Sequence, residues 1–281
     1  MNRTNTLQPE LAEVIACAKQ AGQIAMQYFR SGHRIEMHNK LNDSDIVTIA
    51  DKECEICIKD FIRKNYPEHS ILSEESGETC GDAQYRWVID PIDGTTNFYS
   101  GIPLWGISIG VEFGGVTELG VVYLPATDEL FYAQRGQGAY LNDRRIHVTP
   151  ETKLSRAVIS TGFPVDKDVN PDNNLDNLAA ILPLVRDIRR LGAATADICY
   201  VAAGFLSGYW ELNLHEWDVN AALLILSEAG GKSTRFRQDR GISILCANPS
   251  IHDQLLPYLN TSPRMERNFN YVWHLYTNVH Q

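Results

Sequence analysis

Apolar residues near the start of the chain recur at helical spacing: Leu11, Val14, Ile15, Ala18, Gly22, Ala25, Met26 and Phe29. That period predicts a long amphipathic helix with Pro9 at its first turn and Ser31-Gly32 closing it. A second helical face carries Cys54, Cys57, Ile58, Phe61 and Ile62. Thr48 with Asp51 three positions on reads as its capping pair. The pattern then changes. Ile71-Leu72 is a short strand, and Trp87-Val88-Ile89 suits a buried one. From Trp105 onward the chain alternates, through 105–111, 118–123, 129–133 and 138–146, with Gly114-Gly115 and Asn142-Asp143 as tight turns. This predicts a large antiparallel sheet. Ala157-Val-Ile-Ser opens a second set of elements. Gly162 to Asn174 reads as a polar loop, placed to overlie a site or only to connect, and Leu175 to Arg186 as a helix. An apolar helix then runs through Ile198, Val201, Ala202 and Phe205 to Gly208. Asp218 opens another through Leu223 and Leu226, stopped by Gly230-Gly231. A last strand at 243–248 and a helix at 251–259 follow. The aromatic-rich stretch 265–281 matches no element.

The stretch that changes the picture is Trp87-Val-Ile-Asp-Pro-Ile-Asp-Gly-Thr-Thr-Asn-Phe98. Pro91 has no amide to donate, so the buried strand is expected to end at Asp90. Gly94-Thr95-Thr96 turns the chain into a new element. Two carboxylates three positions apart at a strand end can converge, and so close they repel unless a cation lies between them. Oxygen ligands favour Mg²⁺, Mn²⁺ or Ca²⁺. Asp-Pro and Asp-Gly are also ordinary turn dipeptides. A buried strand, two acids, a glycine and two hydroxyls together ask for more than a turn.

Composition narrows the partners. The 281 residues are 44% hydrophobic and 21% charged, as in globular proteins, with formal net charge −10. That charge disfavours nucleic acid, whose binders need a basic stripe. It permits a small anionic substrate if divalent cations supply local positive charge. No apolar run is long enough to span a bilayer, and Met1-Asn-Arg-Thr-Asn5 lacks an apolar signal core, so the expectation is a cytoplasmic protein. Cys54-x-x-Cys57 lacks a second pair and lies in a helical pattern, which makes these core thiols. Gly136-x-Gly138 is followed by no third glycine and no helix, so it is not a nucleotide loop.

The central string resembles the metal-binding signature of the inositol monophosphatase family, Asp-Pro-x-Asp-Gly-Thr-x-Asn-Phe, at every fixed position. Other stretches resemble that family in order. Asp45-Ile-Val-Thr48 is similar to its Asp-x-Val-Thr element. Ser73-Glu74-Glu75-Ser76 is similar to Gly-Glu-Glu-Ser, with Ser73 in place of the glycine. Gly192-Ala193-Ala194 stands where the family has small residues before a helix, and Trp217-Asp218-Val-Asn-Ala-Ala matches its C-terminal motif.

The resemblance spans about residues 11–259. It implies an α/β (α+β) fold, a layered αβαβα sandwich, as a single domain of two packed lobes at roughly 1–150 and 151–260 with a C-terminal extension at 261–281. It implies a Mg²⁺-dependent phosphomonoesterase, with two or three Mg²⁺ per site and Mn²⁺ as a substitute. Glu74, Asp90 and the Ile92 carbonyl would hold one metal, and Asp90, Asp93 and Asp218 a second. Paired metals about 4 Å apart stabilise both attacking and leaving oxygens. Asp45 and Thr95 would orient a metal-activated water, with Glu74 beside it and no phosphoenzyme. Asp93, Gly94, Thr95, Gly192, Ala193, Ala194 and Glu211 would contact the substrate. The Asn97-Phe98 ending and Glu211 favour myo-inositol monophosphate over nucleotide substrates. Fructose 1,6-bisphosphate, NADP and histidinol phosphate remain as alternatives, and so does a non-catalytic regulatory binding protein. Lithium sensitivity and a homodimer are implied as well. Arg189-Arg190 reads either as a phosphate clamp or as a solvated pair, and His215 as a hydrogen-bonded structural residue.

Overall fold

The computed structural model describes residues 8–31, 37–39, 46–81 and 84–262, with the backbone alone at 37–39, 46 and 47. Asp45 and the stretch 265–281 lie outside these residues.

The first half comprises α1 (Leu11–Tyr28), β1 (Met37–Asn39), β2 (Ile46–Thr48), α2 (Ile49–Asn65), β3 (Ser70–Ser73), β4 (Gly77–Thr79), β5 (Tyr85–Asp93) and α3 (Thr95–Tyr99), then β6 (Gly106–Phe113), β7 (Val116–Leu124), β8 (Glu129–Gln134), β9 (Ala139–Leu141) and β10 (Arg144–Ile146). The second comprises β11 (Val158–Thr161), α4 (Leu175–Ile181), β12 (Asp187–Arg189), α5 (Ala194–Ala202), β13 (Gly208–Leu214), α6 (Asn220–Glu228), β14 (Lys232–Arg237), β15 (Ile242–Ala247) and α7 (Pro249–Leu255). Among the described residues these strands make a two-stranded β1-β2 ribbon, an eight-stranded sheet, ordered β10-β9-β8-β7-β6-β5-β3-β4, and a five-stranded sheet, ordered β12-β11-β13-β15-β14.

Burial stacks the elements in five layers, an α+β sandwich. Val14, Ala18 and Ala21 of α1, with Cys54 and Ile58 of α2, pack on Trp87, Ile89, Ile107 and Ile109 of the larger sheet. Its other face, with Val122 and Phe131, meets Ile198 and Val201 of α5 and Leu224 and Ile225 of α6, which in turn cover Tyr209, Ile244 and Cys246 of the second sheet. Trp210, Leu212 and Leu245 on that sheet's far face pack against Ile181, Ile251 and Leu255. Cys54 is one of the core thiols: its Sγ lies 3.3 Å from the Ala21 carbonyl oxygen, and burial pushes the thiol up.

Helix α2 begins as its spacing predicts, with the Thr48 N–H donating to Asp51 Oδ2 at 2.8 Å. Gly114 and Gly115, at φ 57° and 81°, make the β6–β7 turn in the left-handed conformation that two-residue hairpins require.

Several expectations change. Strand β5 does not stop at Asp90. It runs through Pro91 to Asp93, because the proline falls in a register shift where no ladder bond is lost. The larger sheet is mixed, since β3 pairs parallel with β5. Pro9 precedes the Glu10 cap of α1 instead of joining its first turn. Helix α4 ends at Ile181 with a 3₁₀ turn at Leu182–Leu184, where Pro183 interrupts it. Helix α5 ends at Ala202 and not at Gly208, because Gly204 at φ 74° supplies the left-handed exit. Asp218 stands two residues before α6.

Candidate active site

The β5–β6 register pairs Asp90 with Ser108 and Asp93 with Gly106. Three residues of β5 therefore span two of β6, a bulge of one residue. A regular strand would turn residues three apart to opposite faces. The extra residue returns both carboxylates to the same face. Inside the bulge the Ile92 N–H donates to Asp90 Oδ1 at 3.0 Å. Gly94 follows at φ 86°, a left-handed conformation that lets the chain leave the strand and enter α3 at once. That helix has five residues, so little dipole stands behind the Gly94 and Thr95 amides.

Asp93 is held from the second half of the chain. The Ala194 N–H donates to its Oδ1 at 3.2 Å, the Thr195 N–H to its Oδ2 at 2.7 Å, and the Thr195 hydroxyl to Oδ2 as well. The start of α5 thus points at the end of β5. The Ala194 amide, expected near substrate, is engaged with Asp93 instead. Thr195 was not among the residues singled out from the sequence. The available signal was a hydroxyl in the first turn of an otherwise apolar helix.

Glu74, Asp93, Gly192, Ala194, Glu211 and Asp218 line one cleft of about 440 Å³. They arrive from the end of β3, the end of β5, the approach to α5, the middle of β13 and the turn before α6. Asp90 lies behind them, 1% exposed. Arg190 also lines the cleft, so this arginine faces the acids, while Arg189 pairs with Asp187 at 2.6 Å on the surface. Phe163, Pro164 and Val165 of the loop after β11 form part of the wall. His215 is half-exposed and stacks on Trp217 at 4.7 Å and 9°, also against the cleft. The His215 backbone N–H donates to Asp218 Oδ2 at 2.7 Å.

The acids share an uncomfortable environment. Burial, and then the charges of Glu74, Asp93 and Asp218, push the Asp90 carboxyl well above the usual carboxylate range. Burial pushes Asp93 up to about 7 against the pull of the Thr195 hydroxyl. Glu211 is likewise pushed up to about 7 by burial, opposed by the Tyr209 hydroxyl, which donates to its Oε2 at 2.5 Å, and by Arg190.

The chemistry of this set fits a hard divalent cation. Every donor is oxygen. Glu74 is the first of the charges that raise the Asp90 carboxyl, so the two acids oppose each other when both are ionised, and a cation between them would serve both. The set is not a finished cage: among the described residues no three His, Cys, Asp or Glu side chains are gathered as a ready metal site. Thr95 donates from its hydroxyl toward Asp51 Oδ1 at 3.2 Å and the Ile92 carbonyl at 3.1 Å. Asp45, assigned as its partner by resemblance, lies outside the described residues.

Comparison with known proteins agrees with this arrangement. The model of the inositol monophosphatase family matches residues 7–264. The chain belongs to that family. The family is one of phosphatases and is generally metal-dependent, and its members share this α+β fold. Among similar proteins is Nus factor SuhB of Vibrio cholerae, 42% identical over 231 residues, which are 82% of this chain and 86% of the relative. The solved extragenic suppressor protein suhB from Bartonella henselae is 36% identical, with a TM-score of 0.80 over 88% of this chain and 96% of that one. The inositol monophosphatase from Anabaena (Nostoc) is 37% identical, with a TM-score of 0.78 over 91% and 96%. Among the described residues no helix of this family member is long and apolar enough to cross a membrane.

Proposed function

We propose that the chain is a Mg²⁺-dependent phosphomonoesterase of the cytoplasm that hydrolyses myo-inositol monophosphate. The observation that carries this reading is the convergence of Glu74, Asp93 and Asp218, from three separate elements, on one cleft with Asp90 behind them. Glu74, Asp90, the Ile92 carbonyl, Asp93 and Asp218 would hold the cations. Bound there, they would neutralise the phosphate and make water a stronger nucleophile. The protein's own groups do the rest. Thr95, with Asp45, orients the attacking water. Glu211 accepts from substrate hydroxyls, and the small residues Gly192, Ala193 and Ala194 leave room for a ring. Arg190 adds a positive charge at the rim. The two packed halves act as a single domain, as a homodimer, and lithium competes for a cation position.

The test is phosphate release from myo-inositol 1-phosphate, fructose 1,6-bisphosphate, NADP and histidinol phosphate, with and without Mg²⁺ and with added Li⁺. Release that needs Mg²⁺, falls with Li⁺ and favours inositol phosphate is the expected result. Preference for another ester would replace the substrate and keep the class. The name Nus factor borne by the Vibrio relative keeps a binding role as the second reading. A folded protein that binds Mg²⁺ and releases phosphate from none of the four would favour it.

A further inference from the structure

Arg86 lies near the start of β5, directly opposite Glu112 on β6, and Glu112 lies opposite Thr117 on β7. Register partners share a face, so the three side chains form a row across the larger sheet. The segment that carries Asp218 is fastened to this row on both sides of the acid. On the near side, Glu216 Oε2 accepts from Arg86 Nη1 at 2.7 Å. On the far side, Asn220 donates from Nδ2 to Glu112 Oε1 at 2.7 Å and accepts at Oδ1 from the Thr117 hydroxyl at 3.2 Å. Glu112 Oε2 accepts from the same Arg86 Nη1 at 3.3 Å and closes the network. Gly110 of β6 makes room for it: a Cβ there would sit 2.0 Å from Asn220 Oδ1. None of these side chains lines the catalytic cleft. They border a separate one of about 470 Å³.

We propose that Arg86 is a positioning residue of the active site: with Glu112 it fixes the Glu216–Asn220 segment to the larger sheet and so sets how far Asp218 stands from Asp90 and Asp93. This inference rests on the reading above that these acids hold cations. Asp90 and Asp93 belong to the strand that carries Arg86, so one strand supplies two acids and the anchor for a third. A strand holds its side chains more precisely than a turn does. Asp218 stands in a turn, and the two anchors that bracket it supply the precision the turn lacks. The buried Glu112 carboxylate is matched by the Arg86 cation and the Asn220 amide, so the network also satisfies itself.

Arg86 has a third arm, from Nε to the half-exposed Glu78 of β4 at 3.1 Å. That arm does not reach the Asp218 segment and provides the control. Calorimetric titration with Mg²⁺ is the measurement. Arg86→Met should weaken Mg²⁺ binding about tenfold, the lower end of what groups behind a metal ligand carry. Glu216→Ala changes a half-exposed side chain. It should weaken Mg²⁺ binding in the same direction at a melting temperature close to wild type, and it carries the test if Arg86→Met does not fold. Glu78→Ala should leave Mg²⁺ affinity unchanged. Wild-type Mg²⁺ affinity in a folded Arg86→Met or in Glu216→Ala, or an equal loss in Glu78→Ala, would overturn the role and leave the network a purely structural one. Calorimetry needs no turnover, so the two readings fail separately. A wild-type protein that binds Mg²⁺ and releases no phosphate would overturn the phosphomonoesterase reading alone, and one that binds no Mg²⁺ would overturn both.

Discussion

The Thr195 N–H donates to Asp93 Oδ2 at 2.7 Å, joining residues 102 positions apart. The strand that carries two of the acids is therefore oriented by a helix of the other sheet's half of the chain. Removing the Thr195 hydroxyl while keeping both amide donors isolates this contact. Thr195→Val should bind Mg²⁺ about 10- to 100-fold more weakly, because groups that orient a ligating carboxylate commonly carry that much. Calorimetric titration with Mg²⁺ reads it directly, and unaltered affinity would remove Thr195 from the site.

Glu211 gives a pH prediction. Its carboxyl is pushed from 4.5 up to about 7 in the folded protein by burial. Below the unfolded value both states hold the proton and the group contributes nothing. As pH rises through this window the unfolded chain gives up its proton first, so folding loses stability up to about pH 7. The metal-free protein should melt lower at about pH 8 than at about pH 5, and Glu211→Gln should make that fall shallower. An equally steep fall in the variant would show that Glu211 is not its source.

Gly162 lies against the same side chain. A Cβ there would sit 2.0 Å from Glu211 Oε2, closer than any real contact. Gly162→Ala must move the Glu211 carboxylate or the backbone, at about 1–3 kcal/mol of stability. If Glu211 accepts from substrate hydroxyls, KM for inositol monophosphate rises about tenfold, the worth of one charge-assisted hydrogen bond. Steady-state kinetics of the variant would show an unmoved KM if Glu211 plays no such part.

The loop that supplies Phe163, Pro164 and Val165 to the cleft is fastened at its far end. Arg237, with 1% of its side chain exposed, donates to Asp172 Oδ1 and Oδ2 at 2.9 and 2.6 Å and to Asp239 at 2.9 and 2.7 Å. Arg237→Met removes both close bonds to the buried Asp172 carboxylate, leaving it only Arg240 at 3.6 Å, and should cost about 3 kcal/mol in urea unfolding. Adding Asp172→Asn should recover part of that loss. Strictly additive losses would mean that the pair does not act as a unit.

How far the sequence was readable follows from the range of each interaction. Helix α1, the Thr48–Asp51 cap and the paired left-handed turns at Gly114-Gly115 and Asn142-Asp143 depend on residues within a few positions, and periodicity or turn chemistry exposes them. The five-layer fold and the family were legible from the signature stretches. Pro91 misled because the rule against proline in strands is local, whereas the bulge that accommodates it is set by pairing with β6. Gly204 and Gly208 are both plausible helix ends, and only tertiary packing selects the first. Strand β14 was not read at all, since its Lys232-Ser-Thr-Arg start is polar and half exposed. The candidate acids were visible as chemistry. Thr195, which steadies Asp93, and the second oxygen of Asp51 were not, because each acts across long stretches of chain.

The bulge in β5 also works as a ruler. Between Asp90 and Asp93 what counts is how many residues intervene, more than which ones they are. Trimming one of the pair would flatten the bulge: the two acids, then two apart on an unbroken pleat, would keep one face but lose the kink that sets their spacing and places the Ile92 carbonyl beside them. Adding a residue would change that spacing in the other direction. This segment can therefore drift by exchanging side chains but not by gaining or losing a residue, and a relative of altered spacing here would be one that has given up the chemistry while keeping the fold.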